Sequence, residues 1–275
     1  MSDEKSEKSA TQIVPKCVDD AAGAIIHPAA TQIGQFLSDL LYRLTGDYHL
    51  STEKLRLQHD YELQMFKNGI EEKIREKPEN YLSSPKQQIV GQAFEQAKNC
   101  LGEKEIREMF EKLIANAADT RYQSLVHPAF PSMISQMSPL DAENLSLFYP
   151  NKRFPIVNCR ITYEDGGHKT VFSNCFLENP KMQSKDNLEL QATSIESLCR
   201  LGIVKISYME WLFDNKQYDK FMTSAPMREI QAFVNIASKR PIPEGSSRVK
   251  KATISKGVVE LTPLGKTFSK ACFTC

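Results

Sequence analysis

His127-Pro128 is the pair of residues in this chain with the most chemical potential. Imidazole titrates near neutrality, so a histidine beside a rigid proline turn could move a proton or hold a ligand. No Cys, Ser or acidic residue stands at a recognisable spacing from it. We read it as structural: a buried ring bonding helix-end carbonyls while Pro128 sets the turn. Metal chemistry is no better supplied. Cys272-Phe-Thr-Cys275 is a lone C-x-x-C, and a zinc site needs about four ligands. It matches a C-a-a-X prenylation box only in form. Cys159 and Cys175 could approach across a hairpin, where they read as small core residues. His27, His49, His59 and His168 offer no H-x-x-x-H. Walker A, G-x-G-x-x-G and G-x-S-x-G elements are absent. No catalytic residue, metal site or cofactor is expected.

Charge points elsewhere. Lys+Arg 35 against Asp+Glu 34 leaves no global attraction for nucleic acid. The exception is local. Lys239, Arg240, Arg248, Lys250, Lys251 and Lys256 are opposed only by Glu244, and Lys266 and Lys270 extend the run. A basic loop here would contact phosphates without reading sequence. The helix before it exposes Glu189, Thr193, Glu196 and Ser197, leaving Arg200 as the one base-reading candidate. Nucleic acid is thus a candidate partner through a basic loop, 239–256.

These residues must be positioned by two kinds of structure. The first half is helical. Ala21 to Leu44 is amphipathic, with apolar residues at Ile33, Phe36, Leu37, Leu40, Leu41 and Leu44. His27, Pro28, Gln32, Gln35, Asp39 and Arg43 break it as a span. Its polar face lacks the basic band of a membrane-surface helix, so 21–44 reads as core-packing. Glu53 to Lys77 is a two-sign charged helix stopped by Pro78, exposed or used as a dimer contact. A helix with Pro85 in its first turn buries Ile89, Val90, Ala93, Phe94 and Ala97. Glu103 to Tyr122 is the clearest helix, with an apolar stripe and wet-side pairs Arg107–Glu111 and Glu108–Lys112. Ser138-Pro139-Leu-Asp141 carries a cap, a first-turn proline and a dipole-matched acid.

From Phe154 the period changes to two. Residues 154–176 read as a hairpin turning at Glu164-Asp-Gly-Gly167. Ser194 to Ile206 is a helix, a glycine stop at Gly202 and a β-branched strand. Val258 to Phe268 is a strand running through Thr262-Pro263 into a helix, with Leu264, Phe268 and Cys272 as core. Helix–strand followed by strand–helix is winged-helix order. The expected fold class is α+β, mostly α: a tail at 1–12, a helical region at 13–124, and a winged-helix-like region at 125–275 carrying the hairpin. Hydrophobic content of 41% supports a core. The N-terminus has no apolar leader, and seven scattered cysteines fit a reducing cytoplasm.

Several blocks together resemble the abortive infection alpha (Abi-alpha) family, linked to bacterial defence against phage. They are the small-residue helix end Leu113 to Asp119, His127-Pro128-Ala-Phe130, Ser138-Pro139-Leu-Asp141-Ala, Leu198 to Val204, and Leu261-Thr262-Pro263-Leu-Gly265-Lys-Thr-Phe268. Pro28 to Gly34 is also similar. The resemblance spans Pro28 to Cys272 and implies a defence role, with no catalytic residues to carry over. The expectation is a non-enzymatic interaction or sensor protein with a protein partner or self-association. The alternatives are a nucleic-acid-binding winged helix and a hydrolytic effector centred on His127.

Overall fold

The computed structural model describes residues 28–45, 53–182, 185–241 and 247–274. The tail at 1–12, His27, His49, Cys17, Glu244 and Cys275 lie outside the described residues, as do the side chains of Leu40, Leu41 and Leu44. The fold is α+β. Its helices are α1 (Pro28–Thr45), α2 (Glu53–Arg75), α3 (Gln87–Ala97), α4 (Lys104–Ala117), α5 (Phe130–Ser135) and α6 (Pro139–Phe148). Then come β1 (Phe154–Tyr163), β2 (His168–Cys175), α7 (Lys185–Arg200), β3 (Val204–Ser207), α8 (Asp219–Met222), α9 (Ala225–Ala237), β4 (Val249–Leu261) and α10 (Pro263–Phe273).

All four strands form one antiparallel sheet in the order β2-β1-β4-β3. The hairpin is therefore part of the sheet itself. β1 lies against β4 from Phe154↔Val259 to Tyr163↔Val249, and Val204↔Leu261 begins the β3 pairing. Because side chains alternate across a strand, β1 buries both faces. Ile156 joins the larger core, with Phe148, Phe176, Leu198, Val259 and Phe268. Val157, Cys159 and Ile161 join a second core under α8 and α9, with Tyr218, Phe221 and Ile230. The larger core runs from Ile33 to Cys272, so helical half and sheet share one interior.

The helical half holds three corrections. α4 stops at Ala117, short of Tyr122. There the chain turns into backbone bonds with residues 81–83: Ser83 N–H to Ala118 O at 2.9 Å and Thr120 N–H to Tyr81 O at 2.9 Å. Arg107–Glu111 is not a wet-side pair. Glu111 is buried, 3.5 Å from Arg107 and 2.6 Å from Lys73 of α2. Its carboxylate fills the space above Gly69, where a Cβ would collide with it. Burial raises the Glu111 pKa, and the neighbouring Lys73 and Arg107 only partly offset that. The face of α2 that packs is Phe66, Ile70 and Ile74, so this helix, expected to be exposed or a dimer contact, is buried along one side, while Met65 and Gln58 are exposed.

The start of α6 is as expected. Asp141 N–H donates to Ser138 Oγ at 3.2 Å, and Ser138 N–H donates to Asp141 Oδ2 at 2.9 Å. Two donors without helical partners are satisfied reciprocally. Ser138→Ala removes one side of this box. We expect about 1 kcal/mol of destabilisation, read as a lower urea midpoint with an unchanged slope.

Candidate functional site

The family-like blocks are far apart in sequence and meet at one junction between the helical layer and the sheet. Phe130, at the start of α5, sets its ring edge-on to Phe268 of α10, centroids 5.0 Å apart. Asp141 of α6 accepts from Ser197 Oγ of α7 at 3.2 Å, and Arg200 donates to Gln136 Oε1 at 3.0 Å. Gly202 ends α7 at φ +72, and Thr262 Oγ1 donates to its carbonyl at 2.6 Å. The same hydroxyl accepts from Gly265 N–H at 2.9 Å, capping α10, while Pro263 takes the first helical position. Thr262 N–H donates to Ile203 O at 2.9 Å. Gly265 lies so close to Ile203 that a Cβ would overlap that carbonyl oxygen.

His127 is exposed, which corrects the expectation of a buried ring. Its Nδ1 accepts from the Ala129 N–H at 3.1 Å, and its ring leans on Phe130 with centroids 5.7 Å apart. The imidazole closes its own turn as an acceptor rather than bonding carbonyls. Among the described residues no carboxylate, thiol or hydroxyl is bonded to it. Leu264 is also misplaced by the sequence reading: it is 41% exposed, while Phe268 and Cys272 are fully buried.

A second polar centre, which sequence reasoning missed, ties this junction to the N-terminal helices. Lys77 and Asp119 are buried charges 3.4 Å apart. Lys77 Nζ also donates to Asn116 Oδ1 at 2.7 Å, and Asn116 Nδ2 donates to Ala271 O at 2.8 Å and Thr274 O at 3.0 Å. Arg121 grips Asp119 through Nε at 3.0 Å and Nη2 at 2.6 Å, stacked 4.5 Å over Tyr81. Burial pushes the Asp119 pKa up, but the Arg121 hydrogen bonds and Lys77 outweigh it and hold it below its ordinary value. Nothing in the spacing of Lys77 and Asp119 announces the pair, because it is made by two separate chain reversals.

Cys159 and Cys175 are free, buried neighbours. Hydrogen bonding to Cys159 and burial push Cys175 far above its ordinary range. Burial raises Cys199 to about 11 and Cys272 higher still. Thiolate formation is thus disfavoured at Cys175, Cys199 and Cys272, whereas the hydrogen bond with Cys175 holds Cys159 below its ordinary value. No group of three or more metal-ligating side chains occurs among the described residues, and no described helix is long and apolar enough to cross a membrane.

The basic residues are brought together only in part. From Val249 the expected loop is strand, because Val249, Thr253 and Ile254 favour extended backbone and pair with β1. Alternation sends Lys251 and Lys256 to opposite faces, and Lys250 sits in the β-bulge between Val249 and Lys251. Lys239 and Arg240 are exposed at the end of α9, where Arg248 Nη1 donates to Ser238 O at 2.7 Å. Lys256 donates to Asn215 Oδ1 at 2.8 Å and lies over Tyr218. Arg200 is held by Gln136, within the junction.

The model of the family described as abortive infection alpha matches residues 58–272, most of the chain. No curated protein and no solved structure matches.

Proposed function

The chain belongs to the abortive infection alpha family, and from that premise we propose that it acts in anti-phage abortive infection as a cytoplasmic, non-enzymatic interaction protein. One observation carries this reading. The residues that carry the family likeness are engaged in joining structure. Asp141 bonds Ser197, Thr262 bonds Gly202, Phe130 packs on Phe268, and Gly265 seats against Ile203. An enzyme would present such residues to a cleft beside an activated acid or nucleophile. In this reading the junction is a mount, and the surface that meets a partner lies elsewhere. In this reading α7–β3 and β4–α10 are the winged-helix-like half, and the helical half buttresses it.

The test is phage challenge of bacteria expressing the chain, scored by plating efficiency and host survival. His127→Ala removes only an exposed imidazole that closes a local turn. We expect about 0.5–1 kcal/mol of lost stability and undiminished defence. A His127→Ala protein that folds normally yet abolishes defence would replace this reading with the hydrolytic one.

A further inference from the structure

We propose that the chain binds a phosphate group at the open end of its sheet, with the guanidinium of Arg160 as the central donor. The site lies away from the family-like junction and goes beyond the interaction reading above by giving the chain a ligand. An orphaned donor marks the place. Arg160 Nε is closed off from solvent and has no acceptor. The Arg160 side chain forms no hydrogen bond or ion pair with any described residue. A buried donor without an acceptor is costly, and more so when it carries charge. An anionic ligand removes that cost.

The neighbours of Arg160 supply further donors. β1 is a central strand, flanked by β2 and β4. Thr170 of β2 and Thr253 of β4 stand opposite Arg160. Opposed residues share a face, with Cβ atoms about 4.5–5.5 Å apart, so a hydroxyl flanks the guanidinium on each side. Toward the hairpin turn, Thr162 is opposed by His168 and Lys251. In the other direction lies Asn158, opposed by Ser255. Asn158 Oδ1 is already committed: it accepts from Tyr208 Oη at 2.8 Å and from the Asn174 N–H at 3.0 Å. Its Nδ2 is left to donate. Burial raises the Tyr208 pKa, and Asn174 and the Arg160 charge act against that, which places the guanidinium within electrostatic reach of the phenol.

These positions on β1, β2 and β4 hold no carboxylate. Acids stand only at the margins. Glu196 of α7 accepts from Asn174 Nδ2 at 2.7 Å. Glu164 and Asp165 lie in the turn beyond Thr162, where Asp165 accepts from the Gly167 N–H at 2.8 Å. The other face of the same strands is the apolar core under α8 and α9, so the donors are gathered on one side. Thr170, His168 and Lys251 are exposed and Arg160 is partly buried, which leaves the cradle open to solutes. A guanidinium fork engages two oxygens of one anion. Hydroxyls on both sides of it provide for a third, which a carboxylate lacks and a phosphate group has.

The test is titration calorimetry of the full chain with inorganic phosphate, adenosine monophosphate and a short single-stranded oligonucleotide, and with acetate for comparison. Arg160→Met keeps the aliphatic stem and removes the donors. It should weaken phosphate binding at least about 10-fold, the loss of a charge-assisted hydrogen bond. Thr253→Val keeps the β-branched shape and should weaken binding about 3-fold. Lys169→Met removes an equal charge next to Thr170 but on the opposite face, beside Ile161, and should leave binding unchanged. Thermal melts verify that the variants fold. The Arg160 Nε–H resonance of the wild type should also shift when phosphate is added, which reports contact at that atom without any variant. Arg160-dependent binding of any phosphate probe supports the site, and the tightest probe names the source. Adenosine monophosphate would mean a free phosphate ester, and the oligonucleotide, with a steep salt dependence, a nucleic-acid backbone. Acetate bound as tightly as phosphate overturns the proposal. So do equal losses in Arg160→Met and Lys169→Met, which indicate diffuse attraction, or no Arg160-dependent binding of any phosphate probe up to about 10 mM.

Discussion

Gly265→Ala should unfold more of this protein than any other substitution at the family-like blocks. The backbone at Gly265 is not in the positive-φ region, so conformational freedom is not the reason for glycine there. Room is. The first turn of α10 rests directly on the β3 entry, and a Cβ would occupy the place of the Ile203 carbonyl oxygen. That oxygen cannot yield easily, because it accepts the Thr262 N–H at 2.9 Å. Relief would require α10 to lift, and α10 carries Phe268 and Cys272 into the larger core. Overpacking against movable side chains costs about 1–3 kcal/mol. Against a fixed backbone the loss should be about 3 kcal/mol or more, in the range reserved for core disruption. Thr262→Ala is the control. It deletes the cap and the bond to Gly202 but adds no atoms, and should lose only about 1–2 kcal/mol. Gly202→Ala, strained by its φ of +72, should fall between them. Urea titration of the three variants checks the order, and a Gly265→Ala protein as stable as Thr262→Ala would refute the seating argument.

The contrast between the two glycines shows what the sequence made legible. Gly202 follows a helix and precedes a β-branched run, so its positive φ could be inferred from local pattern. Gly265 is required by a carbonyl more than sixty positions away in the chain, and local pattern is silent on it. The same division runs through the molecule. The capping box at Ser138 and Asp141, the hairpin at 154–176, the stripe of α3 and the docking of β3 on β4 follow from spacing, turn chemistry and hydrophobic period. Glu111 was misread as wet because an i,i+4 pair with Arg107 looks the same on either side of a helix. Lys73, from α2, joins Arg107 in offsetting its burial. The basic stretch misled in the opposite way. Charge counted along the chain suggested a patch, whereas the pleat of β4 divides it between two faces.

Asp119→Ala should destabilise the protein by about 3–5 kcal/mol, because it strands a buried ammonium. Lys77 has almost no access to water, and it would be left with the Asn116 Oδ1, a neutral acceptor, and the face of the Tyr122 ring. Lys77→Met should be milder, at about 1–3 kcal/mol. It leaves Asp119 bound by two Arg121 nitrogens and by the Arg121 backbone N–H, with Arg121 itself partly in water. The double variant should be more stable than Asp119→Ala alone, since the stranded charge is gone, and that non-additivity separates a charge effect from a cavity effect. The damage should spread to α10, because Asn116 links Lys77 to the carbonyls of Ala271 and Thr274. Amide exchange in the last turn of α10 should therefore rise in Asp119→Ala more than in α9, which packs on the other core. The pH dependence has a definite sign. The folded pKa of Asp119 is depressed below the ordinary 3.8, so its contribution is complete above that value and is lost as pH falls through the folded pKa. Wild type should thus lose stability more steeply than Asp119→Ala below about pH 4, and the two curves should converge in acid. Parallel curves from pH 7 to pH 2 would mean that the carboxylate makes no net electrostatic contribution and that the pair is held in place by packing alone.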